Sequence, residues 1–247
     1  MILSPSWKRE SICSSHLYFP NLQYVVCQSQ AKAYQDKNLP VLICPDSAQG
    51  NVSRVRNWIL DYAGKKNVCI VDDDLRCLNK WNGNEVRKMS GEEAEEFIDT
   101  GFMLAEQFGV KMWGVNIIGD KGSYREYTPF SFKNVILGPF GGFLNPSCRY
   151  DEDLPLKEDY DLCLQLLNKY RKILRINHVH YTCEQHTNLG GCAEYRTIDE
   201  EKSQFEALEK KWGKHIVKRD DNNRNVERKR QVSYDINPII KIPIGGV

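Results

Sequence analysis

The segment Asn67–Asn79, NVCIVDDDLRCLN, constrains the fold more than any other stretch of the chain. Val68, Cys69, Ile70 and Val71 form an unbroken apolar run and read as a buried strand. Asp72, Asp73 and Asp74 follow with no glycine, proline or asparagine between. Three like charges at a strand end cost repulsion and desolvation, so the segment is either a solvated turn or a place where a cation sits. Residues two apart point the same way from extended backbone. Asp72 and Asp74 therefore pair as hard oxygen ligands suited to Mg2+ or Mn2+, an ion that in turn neutralises a diphosphate.

Around this run, apolar stretches alternate with helical patterns. Leu22–Cys27 and Val41–Cys44 read as strands, and residues 51–63 read as a helix ended by Gly64. Residues 90–108 open on a Ser90/Glu93 capping box and place Phe97, Gly101, Leu104 and Phe108 on one face. Residues 113–118 and 173–181 read as strands, 135–144 as an apolar stretch, and 158–170 and 199–212 as helices. Strand–helix alternation with short links implies an α/β sandwich, largely parallel in its N-terminal half. Ligands in such sheets sit at the carboxyl ends of strands, where Asp72–Asp74 fall.

Four other clusters carry chemistry, each with a plain structural reading beside it. Glu158, Asp159 and Asp161 crowd a helix start, which the macrodipole alone rewards, yet opposite a metal site one of them serves as general base. His178 and His180 lie two apart in a strand and His186 follows in the next loop; each is either a packed histidine or the imidazole of an Asp/Asp/His site. Ser4, Ser6, Trp7, Lys8 and Arg9 follow a short first strand and suit a nucleoside, or an ordinary turn. Arg56, one helix ahead of the aspartates, suits a diphosphate or pins the aspartate loop.

Read in order, these pieces resemble a GT-A glycosyltransferase: Pro5-Ser6-Trp7-Lys8-Arg9, Arg56-Asn57, Asp72-Asp73-Asp74, Gly141-Gly142, Glu158-Asp159 and the late histidines. More narrowly, VDDDL, LPLKEDYDLCLQLL and NLGGCAEYR resemble the TET-associated glycosyltransferases, phage-type enzymes linked to sugar modification of hydroxymethylated pyrimidines in DNA. The resemblance implies a three-layer GT-A sandwich over residues 1–215, with a mostly parallel nucleotide-binding sheet and a mixed acceptor-side half. Residues 216–247 would be a basic extension that packs on the domain or contacts acceptor. It also implies a UDP-sugar donor, with Asp72 and Asp74 on the metal, completed by His178, His180 or His186. Asp73 would touch ribose or metal. Ser4, Ser6, Trp7, Arg9, Arg56, Gly141 and Gly142 would lie about the nucleotide sugar, and Asp159, with Glu158 and Asp161 as rivals, would be the base.

The implied acceptor is 5-hydroxymethylcytosine or a related base in DNA, flipped out or single-stranded. Trp113, Tyr124, Arg125, Tyr127, Phe130, Lys218-Arg219 and Arg228–Arg230 are the aromatic and basic residues for such a contact. A formal net charge of +1 leaves any DNA contact to a local patch. The competing readings are a carbohydrate or protein acceptor, a non-catalytic domain that keeps the fold, a metal-dependent nuclease or polymerase-like palm, and a sugar-nucleotide nucleotidyltransferase. The last needs a glycine-rich N-terminal loop, and residues 1–30 contain no glycine. Nine cysteines, scattered singly with no CxxC, disfavour a zinc knuckle and read as buried hydrophobes. With no signal-like segment and no long apolar run, the expectation is a cytoplasmic protein off the membrane, in host cytoplasm if phage-encoded, as a monomer or small homo-oligomer.

Overall fold

The structure, a computed structural model, describes residues 1–120, 124–183, 191–219 and 237–244. Along the chain run β1 (Ile2–Pro5), β2 (Leu22–Cys27), α1 (Gln28–Gln35), β3 (Val41–Cys44), α2 (Val52–Ala63), β4 (Val68–Val71), β5 (Leu75–Asn82) and β6 (Glu85–Lys88). Then come α3 (Gly91–Gln107), β7 (Met112–Asn116), β8 (Phe130–Ser131), β9 (Phe140–Phe143), α4 (Glu158–Tyr170), β10 (Leu174–Cys183), α5 (Ile198–Trp212), β11 (Val217–Lys218) and β12 (Ile239–Ile240). Among the described residues, ten strands join one sheet in the order β3-β2-β1-β4-β9-β7-β10-β5-β6, with β8 on β10.

The sheet has two halves. β1 to β4 are mutually parallel. β9 runs antiparallel between β4 and β7, and β10 is parallel to β7 but antiparallel to β5. This is the GT-A type of sandwich, a parallel half joined to a mixed half.

Alternation along β4 explains why its four residues are all apolar. Cys69 and Val71 enter the core shared with α1 and α3, while Val68 and Ile70 enter the one shared with α2 and α4. Both faces are covered, and each such side chain contributes about 1.5–3 kcal/mol by burial. The helices start where the sequence signals them. Ser90 and Glu93 form the capping box of α3, and the Asn51 side chain accepts from the Arg54 amide at 3.1 Å to open α2.

Trp113 sits fully buried in β7, between Gly101 of α3 and Gly142 of β9; a Cβ at either glycine would overlap its indole. It is core, not an acceptor contact. Gly142→Ala is expected to destabilise the fold by about 1–3 kcal/mol through overpacking, read as a fall in thermal midpoint.

The C-terminal part folds back on the domain. Val217, Ile240 and Ile242 join a core with Tyr160 and Leu164 of α4 and Phe205 and Leu208 of α5. Lys218 pairs with Ile239 in the two-stranded β11–β12 sheet, and the Arg219 guanidinium lies over the Phe205 ring at 5.5 Å. Arg228–Arg230 lie outside the described residues.

Two elements go beyond the sequence expectation. β5 and β6 form a hairpin closed on Gly83-Asn84, with Gly83 at φ +58. α1 is a polar helix that buries only Ala31 and Tyr34.

Candidate active site

β4 delivers the three aspartates to the carboxyl end of the parallel half, and the backbone there is held tightly. The Asp72 amide donates to Pro139 O at 3.0 Å, the Ser14 amide donates to Asp73 O at 2.9 Å, and Ser15 Oγ lies 2.7 Å from Asp72 O. The three side chains then go to different partners.

Asp73 is 4% exposed and spent on protein. Ser6 Oγ donates to its Oδ2 at 2.5 Å and Arg9 Nη1 to its Oδ1 at 2.7 Å. Burial pushes its carboxyl up and those two partners pull it back. Tyr34 of α1 fixes both partners: its hydroxyl lies 2.9 Å from Ser6 Oγ and accepts from the Arg9 amide at 3.0 Å. Asp74 accepts from the Cys183 thiol at 2.7 Å, with Arg9 Nη1 at 3.4 Å. Its carboxyl is pushed up to about 6 by burial and then by the Asp72 charge. Asp72 is the most exposed of the three side chains, at 28%, and receives Arg56 Nη2 on Oδ1 at 2.7 Å.

Arg56 is 2% exposed and ties the aspartates to α4. Its Nη1 donates to Glu158 Oε1 at 2.8 Å and its Nη2 also reaches Gly138 O at 3.2 Å. The adjacent Gly138 amide donates to Asp159 Oδ2 at 3.1 Å, and the Tyr160 amide donates to Asp159 Oδ1 at 2.7 Å. Burial raises the pKa of both Glu158 and Asp159; their mutual charge adds to the rise at Glu158. Asp159 is partly exposed, whereas Glu158 is buried against Arg56. Carboxylates of the aspartate loop and of the α4 start thus meet across Arg56 and Gly138.

Several expected site residues lie elsewhere. Asp161 is fully buried and bonded to Trp212 Nε1 at 2.7 Å, Lys211 Nζ at 2.8 Å and Gln165 Nε2 at 2.6 Å, so it anchors α5 and does not rival Asp159 as base. Gly141 and Gly142 are interior β9 residues paired with β4 and β7, and the missing side chain of Gly142 makes room for Trp113. Gly138, just ahead of them, is the glycine at the site. Ser4 is fully buried in β1, and Trp7 is half-buried beneath the Lys8 amine.

The histidines are the main correction. Leu174 and Ile176 enter the core on one face of β10, but beyond the register shift between Ile176 and His180 it is Val179 and Tyr181 that do so. A shift that reverses the parity sends every following side chain to the other face. Tyr181 thus stays with the core, and Cys183, past a second shift after Thr182, packs against the same core and reaches Asp74. His178 and His180 join Tyr124 and Trp81, with ring centroids 6.4 Å apart for His178–Tyr124 and 6.3 Å for His180–Trp81. His186 lies outside the described residues. Among the described residues, no three His, Cys, Asp or Glu side chains gather as a metal-ligand group.

Asp72 and Asp74 nevertheless fit a divalent ion. Mg2+ is commonly held by one or two carboxylates together with substrate phosphates and water, without a full protein cage. Burial and then the Asp72 charge raise the Asp74 carboxyl, and a divalent ion would offset both. Cys183, Tyr34, Ser15 and Tyr181 escaped the sequence reading, since no local motif marks a cysteine, serine or tyrosine brought in by a distant element.

No curated protein sequence matches this chain. Its structure is similar to that of glucosyl-3-phosphoglycerate synthase from Mycobacterium tuberculosis in complex with Mg2+ and UDP, at 9% identity and a TM-score of 0.46, covering 75% of this chain and 71% of that one. A second complex of that enzyme, with Mn2+, UDP-glucose and glycerol 3-phosphate, gives 9% identity and a TM-score of 0.48 over 90% and 84%. S. aureus TarS, residues 1–349, gives 15% identity and 0.45 over 73% and 58%. Among the described residues, no helix is long and apolar enough to cross a membrane. The family model of the TET-associated glycosyltransferases matches residues 2–192, which carry the whole carboxylate site. The chain belongs to that family and is a nucleotide-sugar glycosyltransferase.

Proposed function

We propose that the chain moves a hexose from a UDP-sugar to the hydroxyl of 5-hydroxymethylcytosine, or a related hydroxymethylpyrimidine, in phage DNA. The observation that carries this reading is the meeting of Asp72 with Asp159 across the Arg56–Gly138 bridge, two residues ahead of Asp74. Asp72 and Asp74 would hold Mg2+ or Mn2+, which supplies Lewis-acid stabilisation of the departing diphosphate. Ser6 and Arg9 are bonded to the aspartate loop and, with the neighbouring Trp7, would line the nucleoside pocket, with Asp73 positioning Arg9.

Asp159 is held by two backbone amides, and it accepts the proton of the acceptor hydroxyl. The acceptor oxygen forms the new bond to the anomeric carbon as the bond to the diphosphate breaks, and UDP leaves with the electron pair. Glu158, committed to Arg56, positions this base. On the acceptor side, β5 and β6 carry Arg76, Lys80, Arg87 and Lys88 against one acid, Glu85. Trp81 and Tyr124 stack with centroids 6.2 Å apart, and Tyr127 is 81% exposed. Basic and aromatic groups together suit a single strand or an extruded base.

A base works deprotonated, and the Asp159 carboxyl titrates above its ordinary range. Turnover should therefore fall as pH drops through that raised value, at a higher pH than an exposed aspartate would dictate. Asp159→Asn is expected to lower kcat by about 10²–10⁴ and to erase that acid limb. The check is the pH profile of sugar transfer to hydroxymethylcytosine DNA; an unchanged limb in Asp159→Asn removes Asp159 from the role.

A further inference from the structure

Tyr181 packs its ring into the same core as Val179, but its hydroxyl has no task in the fold. It is 7% exposed, and its hydroxyl has no hydrogen-bond partner among the described residues. Buried tyrosine hydroxyls ordinarily find one, because a lost partner costs desolvation that nothing offsets. Its position is set by β10. Cys183 packs against the same core as Tyr181 and touches Asp74, so Tyr181 stands on the side of the sheet where the carboxylates meet. The charges of Asp159 and Asp72 both disfavour ionising its phenol, beyond the effect of burial. A neutral donor thus stands near the metal-side and base-side carboxylates together.

We propose that the Tyr181 hydroxyl donates a hydrogen bond to an oxygen of the nucleotide-sugar donor in the cleft between the aspartate loop and the start of α4, and so orients that donor for transfer. This rests on the nucleotide-sugar reading of the site and is independent of the acceptor. Arg9 is committed to Asp73, and Arg56 to Asp72 and Glu158, whereas this hydroxyl is left for a ligand. Sites of this kind trade stability of the free protein for binding.

The test is Tyr181→Phe in the full chain, with thermal midpoints measured alone and with Mn2+ plus UDP-glucose, UDP-galactose or UDP-N-acetylglucosamine. Hydrolysis of the same donors without acceptor is followed in parallel. Removing an unsatisfied buried hydroxyl should raise the midpoint of the free protein by about 2–4 °C. The ligand-induced shift should shrink, and kcat/KM for donor hydrolysis should fall about tenfold, the loss of one hydrogen bond.

A residue that only packs would leave the donor shift and hydrolysis unchanged, and that result overturns the proposal. A lowered midpoint in the free variant overturns it too, because the hydroxyl would then have had a partner already. If wild-type protein responds to none of the donors, the nucleotide-sugar reading itself fails, an outcome distinct from a wild type that responds and a variant that responds equally.

Discussion

Asp72→Asn and Asp74→Asn are each expected to cut sugar transfer by about 10³-fold or more while leaving the protein folded. The ion they would hold stabilises charge on the departing diphosphate, worth several kcal/mol, and each tenfold in rate is about 1.4 kcal/mol. The fold does not need either charge. Asp72 takes one guanidinium contact that an amide oxygen can also accept, and Asp74 bears a carboxyl pushed up to about 6 by burial and its neighbour. Relief of that repulsion should hold or slightly raise the thermal midpoint of Asp74→Asn. The paired measurement is thermal unfolding beside transfer kinetics. Transfer by either variant in the presence of chelator at the wild-type rate would remove the ion from the account.

Arg56→Met is expected to show the opposite pattern, losing stability and activity together. The guanidinium is buried with Asp72 at 2.7 Å and Glu158 at 2.8 Å, and it stacks over Tyr150 at 5.6 Å. Breaking a buried pair from one side leaves uncompensated charge and costs about 3–5 kcal/mol. In a chain of this size that lowers the midpoint by about 10 °C. Arg56→Lys should recover only part of it, because an ammonium cannot span both carboxylates as the planar fork does. An unperturbed midpoint in Arg56→Met would show that the bridge contributes nothing to folding.

Much of this site was legible in the sequence because its main parts are local. A four-residue apolar strand ending in three aspartates, an acidic helix start and an arginine one helix upstream each carry their meaning within a few residues, and β4, α4 and α2 form there. His178 and His180 stand with Tyr124 and Trp81 because a strand's facing depends on register. The shift between Ile176 and His180 puts Val179 and Tyr181 into the core in their place, a tertiary event that no alternation count detects. Gly142 is ambiguous in sequence for a related reason: a glycine needed for close approach looks the same whether the neighbour is a ligand or Trp113. The β5–β6 hairpin did leave a sign, Gly83-Asn84 between two pairable runs, but its polar strands lack clean alternation. Tyr34 arrived on a helix whose pattern is almost wholly polar.

The central claim is that Asp72 and Asp74 serve a nucleotide-sugar site. Its most direct measurement is transfer of radiolabel from a panel of UDP-sugars to DNA containing hydroxymethylcytosine or hydroxymethyluracil, with Mn2+ or Mg2+, after chelation, and after metal is restored. The expected result is label on the DNA that disappears with chelator, returns with metal, and is absent for Asp72→Asn and Asp74→Asn. Undiminished transfer under chelation, or by either variant, would contradict it.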